Sequence, residues 1–109
     1  MLAKQYRLPP YIRIPNKMSV DTPLFVFKAG INTLPHSRFG FVVRKAVDKR
    51  ATVRNRMRRL IRSCIEEMLP NMAPGIDMLF LLKRPLLEMK REALYNTLYG
   101  FLKERQYIS

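Results

Sequence analysis

Residues 49–68 read KRATVRNRMRRLIRSCIEEM, and the spacing of the apolar side chains in this stretch predicts an α-helix. These side chains recur every three or four residues, at Val53, Met57, Leu60, Ile61, Cys64, Ile65 and Met68. At 3.6 residues per turn they share one face, so the helix is amphipathic and packs that face against a core. Thr52 is predicted as its N-cap, and Pro70, Pro74 and Gly75 end it.

The opposite face of the predicted helix is basic. Measured from Val53 around the helix axis, three arginines fall between about 100° and 180°: Arg54, Arg58 and Arg62. The N-terminus of a helix is already electropositive, so arginines in its first turns do not favour folding alone. They do suit a bound phosphate, which gains from the helix dipole, the free amides and bidentate guanidinium contacts. We therefore interpret this face as an anion-binding site.

The whole chain is basic, but its basicity is local. Its 109 residues hold 21 Lys and Arg against 8 Asp and Glu, a formal net charge of +13. Ten of those basic residues fall between Arg38 and Arg62, where Asp48 is the only acidic residue. This distribution points to a polyanionic partner, for which RNA, DNA and an anionic membrane surface are the candidates.

Four prolines fall in residues 1–23, and they predict an irregular arm ahead of a single domain at residues 24–109. The longest apolar run, Met78 to Leu82, is far shorter than the roughly 20 residues that a membrane span needs. The N-terminus also lacks the pattern of a secretory signal. We expect a soluble, cytoplasmic protein with no membrane partner.

The remaining segments predict strands on both sides of the helix and a second helix at the end. Residues 24–29 and 38–44 are predicted as two antiparallel strands joined by a loop. The apolar run at residues 76–82 predicts a central strand that is buried on both faces. Residues 86–105 have leucines and Phe101 at helical spacing, which predicts a second amphipathic helix.

The sequence offers no arrangement of side chains for catalysis or for holding a metal. His36 is the only histidine, and it has no Cys, Asp or Glu within several residues. Cys64 is the only cysteine and falls on the apolar face of the helix, which predicts a buried hydrophobe rather than a nucleophile. We therefore assign no catalytic and no metal-binding residues, and a zinc site is not expected.

The stretch from Lys49 to Arg62 resembles the RNR signature of the bacterial ribonuclease P protein component. Residues 37–45, SRFGFVVRK, are similar to the strand that leads into the signature in that family. Residues 76–85 are similar to its apolar strand ending in Arg-Pro. The resemblance covers about residues 24–105, and the order of these segments makes it specific.

The resemblance implies an α+β fold, an α/β sandwich with a small mixed sheet. The basic helix would enter it through a left-handed βαβ crossover, as in the second domain of ribosomal protein S5. It further implies that the protein is a subunit of ribonuclease P, which binds a catalytic RNA and precursor tRNA. Catalysis would reside in that RNA, with Mg²⁺ held mainly by the RNA, and would remove the 5′ leader of the precursor. No protein partner is predicted.

The resemblance also assigns roles to individual residues. It assigns RNA binding to Arg44, Lys45, Lys49, Arg50, Arg54, Asn55, Arg56, Arg58, Arg59 and Arg62. It places Phe25 and Phe27 in a cleft for the single-stranded leader, whose bases would stack on their rings; burial of both rings in the core is the other interpretation. The family has phenylalanines in its N-terminal helix, and Tyr6 and Tyr11 are the aromatic residues available there in this chain.

Two other classes of function fit part of the sequence. A structural RNA-binding protein, such as a ribosomal protein, fits the composition equally well. It would be distinguished by having no effect on precursor tRNA cleavage by a catalytic RNA. A membrane-surface protein would use the basic helix as an interfacial amphipath, but the apolar face of that helix is needed for the core.

Overall fold

The computed structural model describes residues 3–9, 14 and 18–108, and within them four strands and two helices form one α+β unit. The strands are β1 (Met18–Asp21), β2 (Phe25–Ile31), β3 (Arg38–Val43) and β4 (Ile76–Leu82). The helices are α1 (Ala51–Met68) and α2 (Arg91–Glu104), and short 3₁₀ turns occupy Lys4–Tyr6 and Leu69–Asn71. The predicted α+β class, with a small mixed sheet, is confirmed.

The four strands form one sheet in the order β1-β2-β4-β3. β2 runs antiparallel to β4, and β3 runs parallel to it, so that Phe27 and Phe41 both lie opposite Phe80. The prediction that β2 and β3 pair directly is wrong, because β4 lies between them. The predicted central position of residues 76–82 is confirmed, because β4 lies between β2 and β3. The prediction that this strand is buried on both faces is only partly met, since Ile76, Leu79 and Leu81 are half-buried.

The core lies on one face of this sheet. Phe25, Phe27, Phe39 and Phe80 point to that face and are each at most 2% exposed. Both helices contribute buried side chains to the same cluster, including Met57 and Ile61 from α1 and Leu94, Leu98 and Leu102 from α2. Alternate strand residues, such as Gly40, Val42 and Leu79, point to the other face, which is only partly covered.

Both helices begin at positions that differ from the predicted ones. α1 begins at Ala51 after Arg50 as the N-cap, so Thr52 is not the cap, and no side chain caps this end. α2 begins at Arg91 because the five residues before it form a turn, in which the amide of Met89 donates to the carbonyl of Leu86 at 3.0 Å. Leu86 anchors this turn in the core with none of its surface exposed.

The arm predicted as irregular contributes to the fold in two places. Strand β1 lies within residues 1–23 and pairs with β2, so the predicted boundary at residue 24 is wrong. Nearer the N-terminus, the amide of Leu8 donates to the carbonyl of Phe39 at 2.9 Å, which continues the sheet beyond the edge of β3. Ile14, also in this arm, is buried, with 8% of its surface exposed. The prolines restrict helix but leave these extended pairings available.

Candidate nucleic-acid interface

Helix α1 has the two faces that its sequence predicts. Six of the seven residues of the apolar stripe are buried, namely Val53, Met57, Ile61, Cys64, Ile65 and Met68, and Leu60 is half-buried. No acidic residue lies in the first turn. The arginines therefore occupy the faces that the core leaves uncovered, in a helix whose N-terminal end carries the positive pole of the dipole.

Some of the predicted RNA-binding residues are held by contacts within the protein. Arg54 donates from Nη1 to the main-chain oxygens of Asp48 and Lys49, at 3.0 and 2.9 Å. Arg50 donates to both carboxylate oxygens of Asp48, at 3.1 and 3.0 Å. The side-chain hydrogen bond from Arg50, together with its amide, lowers the pKa of the Asp48 carboxyl to about 2. These contacts fix the loop at residues 44–50 against the start of α1.

The side chains of five other predicted residues make no hydrogen bond or ion pair with another described residue. They are all solvent-exposed: Arg44, Lys45, Lys49, Arg56 and Arg59. Asn55 accepts a hydrogen bond from Arg58, so these two side chains act as a pair on the surface of the helix. The structure thus places the ten predicted residues on α1 and the adjoining loop.

A cavity of about 370 Å³, which we call the arm cavity, lies between the N-terminal arm, the uncovered sheet face and α1. Its apolar walls include Leu8, Ile14, Val42 and Leu79, and its basic walls are Arg7 and Arg62. Burial lowers the pKa of Arg62, and the positive charges of Arg7, Arg58 and Arg59 lower it further. The negative charge of Glu66 partly offsets this effect. Cationic groups are therefore concentrated at one side of the arm cavity, where a bound anion would offset their mutual repulsion further.

The two phenylalanines predicted to line a leader cleft belong to the core instead. Phe25 is 1% exposed and Phe27 is 0% exposed. Each ring packs against Phe80 and Phe101, at centroid distances of 5.0 to 5.3 Å. No ring face is open to a base, so the prediction of a cleft at Phe25 and Phe27 is wrong. Their alternation along β2 places them on the face covered by the helices.

Tyr6 does not line the arm cavity. Tyr6 packs edge-on against His36, with ring centroids 5.5 Å apart, on the other side of the arm. Tyr11 lies outside the described residues. Among the described residues that line the cavity, Arg62 is a predicted site residue, and the others, including Arg7 and Leu8, are not. Arg7 and Leu8 reach the edge of β3 through main-chain pairing with Phe39, which has no sequence signature.

Cys64 and Asp77 are both buried within the fold. Cys64 is fully buried, and burial raises the pKa of its thiol. Asp77 accepts two hydrogen bonds from Arg38, at 2.9 and 2.8 Å, and one from Asn32 at 2.8 Å. In the described part of the chain, no three or more His, Cys, Asp or Glu residues come together as a metal site. No helix of that part is long and apolar enough to cross a membrane.

Comparisons with known proteins agree on one family. Residues 14–106 match the family model described as Ribonuclease P. The chain is 48% identical over 46 residues to the ribonuclease P protein component of a Synechocystis strain, a match that covers 42% of this chain and 37% of that protein. It is 39% identical over 67 residues to that of Roseiflexus castenholzii, which covers 62% and 54% of the two chains. The chain thus spans about half or less of the length of these curated relatives.

The fold is also similar to solved structures. A mutant of the Staphylococcus aureus RNase P protein, with defective mRNA degradation activity, superimposes with a TM-score of 0.80 at 25% identity. That match covers 94% of this chain and 90% of the other. The fold described above is therefore similar to that of this S. aureus protein over most of both chains.

Proposed function

We propose, from the premise that this chain belongs to the ribonuclease P protein family, that it is the protein subunit of a ribonucleoprotein that removes the 5′ leader from precursor tRNA. Its partner would be the catalytic RNA, and its substrate would be precursor tRNA, in the cytoplasm. The chain would contribute binding and charge, and the RNA would contribute the cleavage chemistry.

This proposal rests on the basic surface of α1 and of the loop at residues 44–50. Arg56, Arg59 and Lys49 extend into solvent, and Arg54 with Asp48 fixes the loop that carries Lys49. Arginines present forked donors to phosphate oxygens and stack on bases, which suits RNA better than a diffuse positive charge does. Folding alone gives no reason for this surface, because its charges repel one another and the helix dipole.

The arm cavity is the place that best suits the single-stranded leader. Its apolar walls, such as Val42 and Leu79, would face the bases, and Arg62 with Arg7 would face the phosphates. Single strands bind in this way because unstacked bases expose flat apolar faces. The proposed leader site thus lies on the uncovered sheet face, opposite the core that holds Phe25 and Phe27.

Mg²⁺ would serve the RNA rather than a site on this chain. The carboxylates of the described residues do not form a cluster that fits the ion, and Asp77 is already engaged by Arg38 and Asn32. Oxygen ligands from several groups are what Mg²⁺ requires. The chain would instead lower the repulsion between the phosphates of the two RNAs through its own cations.

The leader site can be tested in the complex reconstituted with the catalytic RNA, by measuring affinity for tRNA with and without a 5′ leader. We expect Val42→Glu to weaken binding of the precursor by about tenfold, because a carboxylate would replace an apolar wall beside the bases. Binding of mature tRNA should not change. Ile31→Glu is the control, since Ile31 is 82% exposed at the end of β2 and does not line the arm cavity.

An equal loss of affinity for both tRNAs in Val42→Glu would contradict the leader site. Wild-type protein that binds the catalytic RNA but leaves precursor cleavage unchanged would contradict the proposed function. That result would favour a structural RNA-binding protein.

A further inference from the structure

Helix α2 presents a flank that the proposed RNA-binding surfaces do not use. Its buried side chains, Leu94, Leu98 and Leu102, set the direction of the core. The next arc around the helix axis, about 140° wide, is occupied by six residues. We call this arc the α2 flank, and it consists of Glu92, Tyr95, Asn96, Tyr99, Gly100 and Lys103. The two tyrosines are half-buried, and the other four residues are exposed.

The α2 flank is electrically neutral, because its only charged residues are Glu92 and Lys103. Ten of the basic residues of this chain lie between Arg38 and Arg62, so RNA phosphates are drawn to α1 and its loop rather than to this flank. Glu92 makes no hydrogen bond or ion pair with another described residue. The flank therefore suits a protein partner that supplies a cation for Glu92 and an anion for Lys103.

Tyr95 and Tyr99 give the α2 flank a preformed aromatic centre. Their ring planes are 15° apart and their ring centroids are 6.1 Å apart, so the rings are stacked. Both rings also pack in part against the core, which holds them in place. The Nζ atom of Lys103 lies 5.8 Å from the centre of the Tyr99 ring and extends the stack along the helix. Tyrosines that are already ordered lose little entropy on binding, and they are enriched among the residues that dominate protein interfaces.

The order of the charges along the α2 flank is self-complementary. Glu92 and Lys103 lie at equal distances from the midpoint between Thr97 and Leu98, and they are only about 20° apart around the helix axis. A two-fold axis through this midpoint sets two copies of α2 side by side in opposite directions. Glu92 of each copy then faces Lys103 of the other, because a two-fold axis makes the same contact twice.

The same two-fold axis brings together the other residues of the flank. Tyr95 of one copy lies beside Tyr99 of the other, so the two stacked pairs join in one aromatic cluster. Asn96 lies beside Gly100 of the other copy. Nothing in one copy lies within 4 Å of a Cβ at Gly100, so this position leaves room for the approaching side chain. The antiparallel arrangement also places opposite ends of the two helix dipoles together.

We propose that the α2 flank binds the α2 flank of a second copy of this chain, as an antiparallel pair of helices. The contact uses no residue of α1 or of the arm cavity, so it goes beyond the proposed function and does not depend on it. Each copy contributes one helix about 21 Å long. The buried area is therefore smaller than the roughly 1,200 Å² of a standard interface, and the dimer is weak.

Sedimentation of the full chain without RNA tests the contact, at protein concentrations from about 5 to 500 μM, where an interface of this size associates. The salt concentration should be about 0.15 M, which screens the repulsion between the two basic chains. Wild-type protein should change from monomer to dimer over this range. Glu92→Lys and Lys103→Glu should each weaken association by about tenfold, because each replaces two ion pairs with two like-charge pairs.

Two samples should restore association, namely the double variant Glu92→Lys/Lys103→Glu and an equal mixture of the two single variants. In both samples opposite charges face each other again across the two-fold axis. Glu88→Lys is the control, because it makes the same change of charge at an exposed residue outside the α2 flank and should dimerise like the wild type. Circular dichroism confirms that each variant is folded.

Three results would overturn the inference. The first is wild-type protein that stays monomeric throughout the concentration range. The second is a dimer that Glu92→Lys and Glu88→Lys weaken equally, which would reflect net charge or another surface. The third is a loss in both single variants that neither the double variant nor the mixture restores. None of these results bears on RNA binding by the basic surface of α1, so the proposed function is tested separately.

Discussion

Arg54 holds the main-chain carbonyl of Lys49 at 2.9 Å, and the same nitrogen also binds the carbonyl of Asp48. The arginine belongs to the basic face of α1, but this donor is directed at the protein and not at solvent. Its contacts connect the helix to the loop at residues 44–50, which carries exposed Arg44 and Lys45. Arg54 is therefore a positioning residue for the basic loop, in addition to any charge that it presents to RNA.

Substitution of Arg54 and of Arg58 should have different effects. Arg54→Ala should lower the free energy of unfolding by about 1 kcal/mol, because two hydrogen bonds to the loop are lost. Arg58→Ala should leave stability unchanged and reduce the slope of log RNA affinity against log salt by about 0.7 to 0.9. Urea unfolding and salt-dependent binding titrations measure the two effects. Equal stability of both variants would show that the Arg54 contacts do not hold the loop.

Gly40 should be sensitive to the smallest substitution. A Cβ at this position would lie 2.9 Å from Cδ1 of Leu79 and 3.1 Å from Cδ1 of Leu8, so the Leu79 side chain must shift and Leu8 of the arm must give by a few tenths of an ångström. We expect Gly40→Ala to speed hydrogen exchange of the Leu8 amide, which bonds to Phe39, by about fivefold, the effect of about 1 kcal/mol of overpacking. Amides within β4 should keep their exchange rates.

Gly100→Ala is the control for this experiment. Nothing lies within 4 Å of a Cβ at Gly100, which is in α2, so alanine should stabilise the protein by up to about 1 kcal/mol through helix propensity. Unchanged exchange at Leu8 in Gly40→Ala would mean that the arm does not depend on close contact with the sheet.

Phe27→Ala should act through the core. The ring is 0% exposed and packs against Phe80, Phe101 and Tyr107, so its loss should cost about 3 to 5 kcal/mol of stability. This is a large part of the roughly 5 to 15 kcal/mol that stabilises a typical domain. Urea unfolding followed by circular dichroism measures it. A variant that keeps wild-type stability but no longer distinguishes precursor from mature tRNA would place the leader at Phe27 after all.

The Asp48 carboxyl should titrate at a lower pH than an ordinary aspartate. Its pKa is about 2 in the folded protein, compared with 3.8 in the absence of its partners, because Arg50 binds the charged form. Its stabilising effect is therefore fully present above pH 3.8 and is lost as the pH falls towards 2. The carboxyl carbon shift followed by NMR gives the pKa, and Arg50→Gln should raise it. An unshifted pKa in wild-type protein would show that the pair does not form.

The helix α1 and the strand β4 could be predicted because their patterns are local. A stripe at 3.6-residue spacing from Val53 to Met68 and an apolar run at residues 76–82 each determine one element. The pairing of β2 with β4 rather than with β3 could not be predicted in this way. That pairing joins strands that are about 50 residues apart in the sequence. The alternation of apolar residues in β2 is compatible with either β3 or β4 as its neighbour.

The basic residues of the candidate site could also be predicted, because they lie in one local segment of the sequence. Its apolar residues could not. All ten predicted basic and amide residues lie on α1 or the adjoining loop. The sequence does not show which face of β2 the helices cover. The predicted position of Phe25 and Phe27 in an open cleft is therefore wrong, because both rings lie on the covered face. The sequence also could not show that Arg7 and Leu8 pair with Phe39 of β3 through their main chains.

Under the proposed function, cations of this chain lower phosphate repulsion while the catalytic RNA performs the cleavage. The most direct measurement is the Mg²⁺ concentration at half-maximal precursor tRNA cleavage by the catalytic RNA alone, with wild-type protein, and with Arg58→Glu. Wild-type protein should lower this concentration, and Arg58→Glu should return it towards the value for the RNA alone. An unchanged Mg²⁺ requirement with wild-type protein, or cleavage by the protein without RNA, would contradict the account.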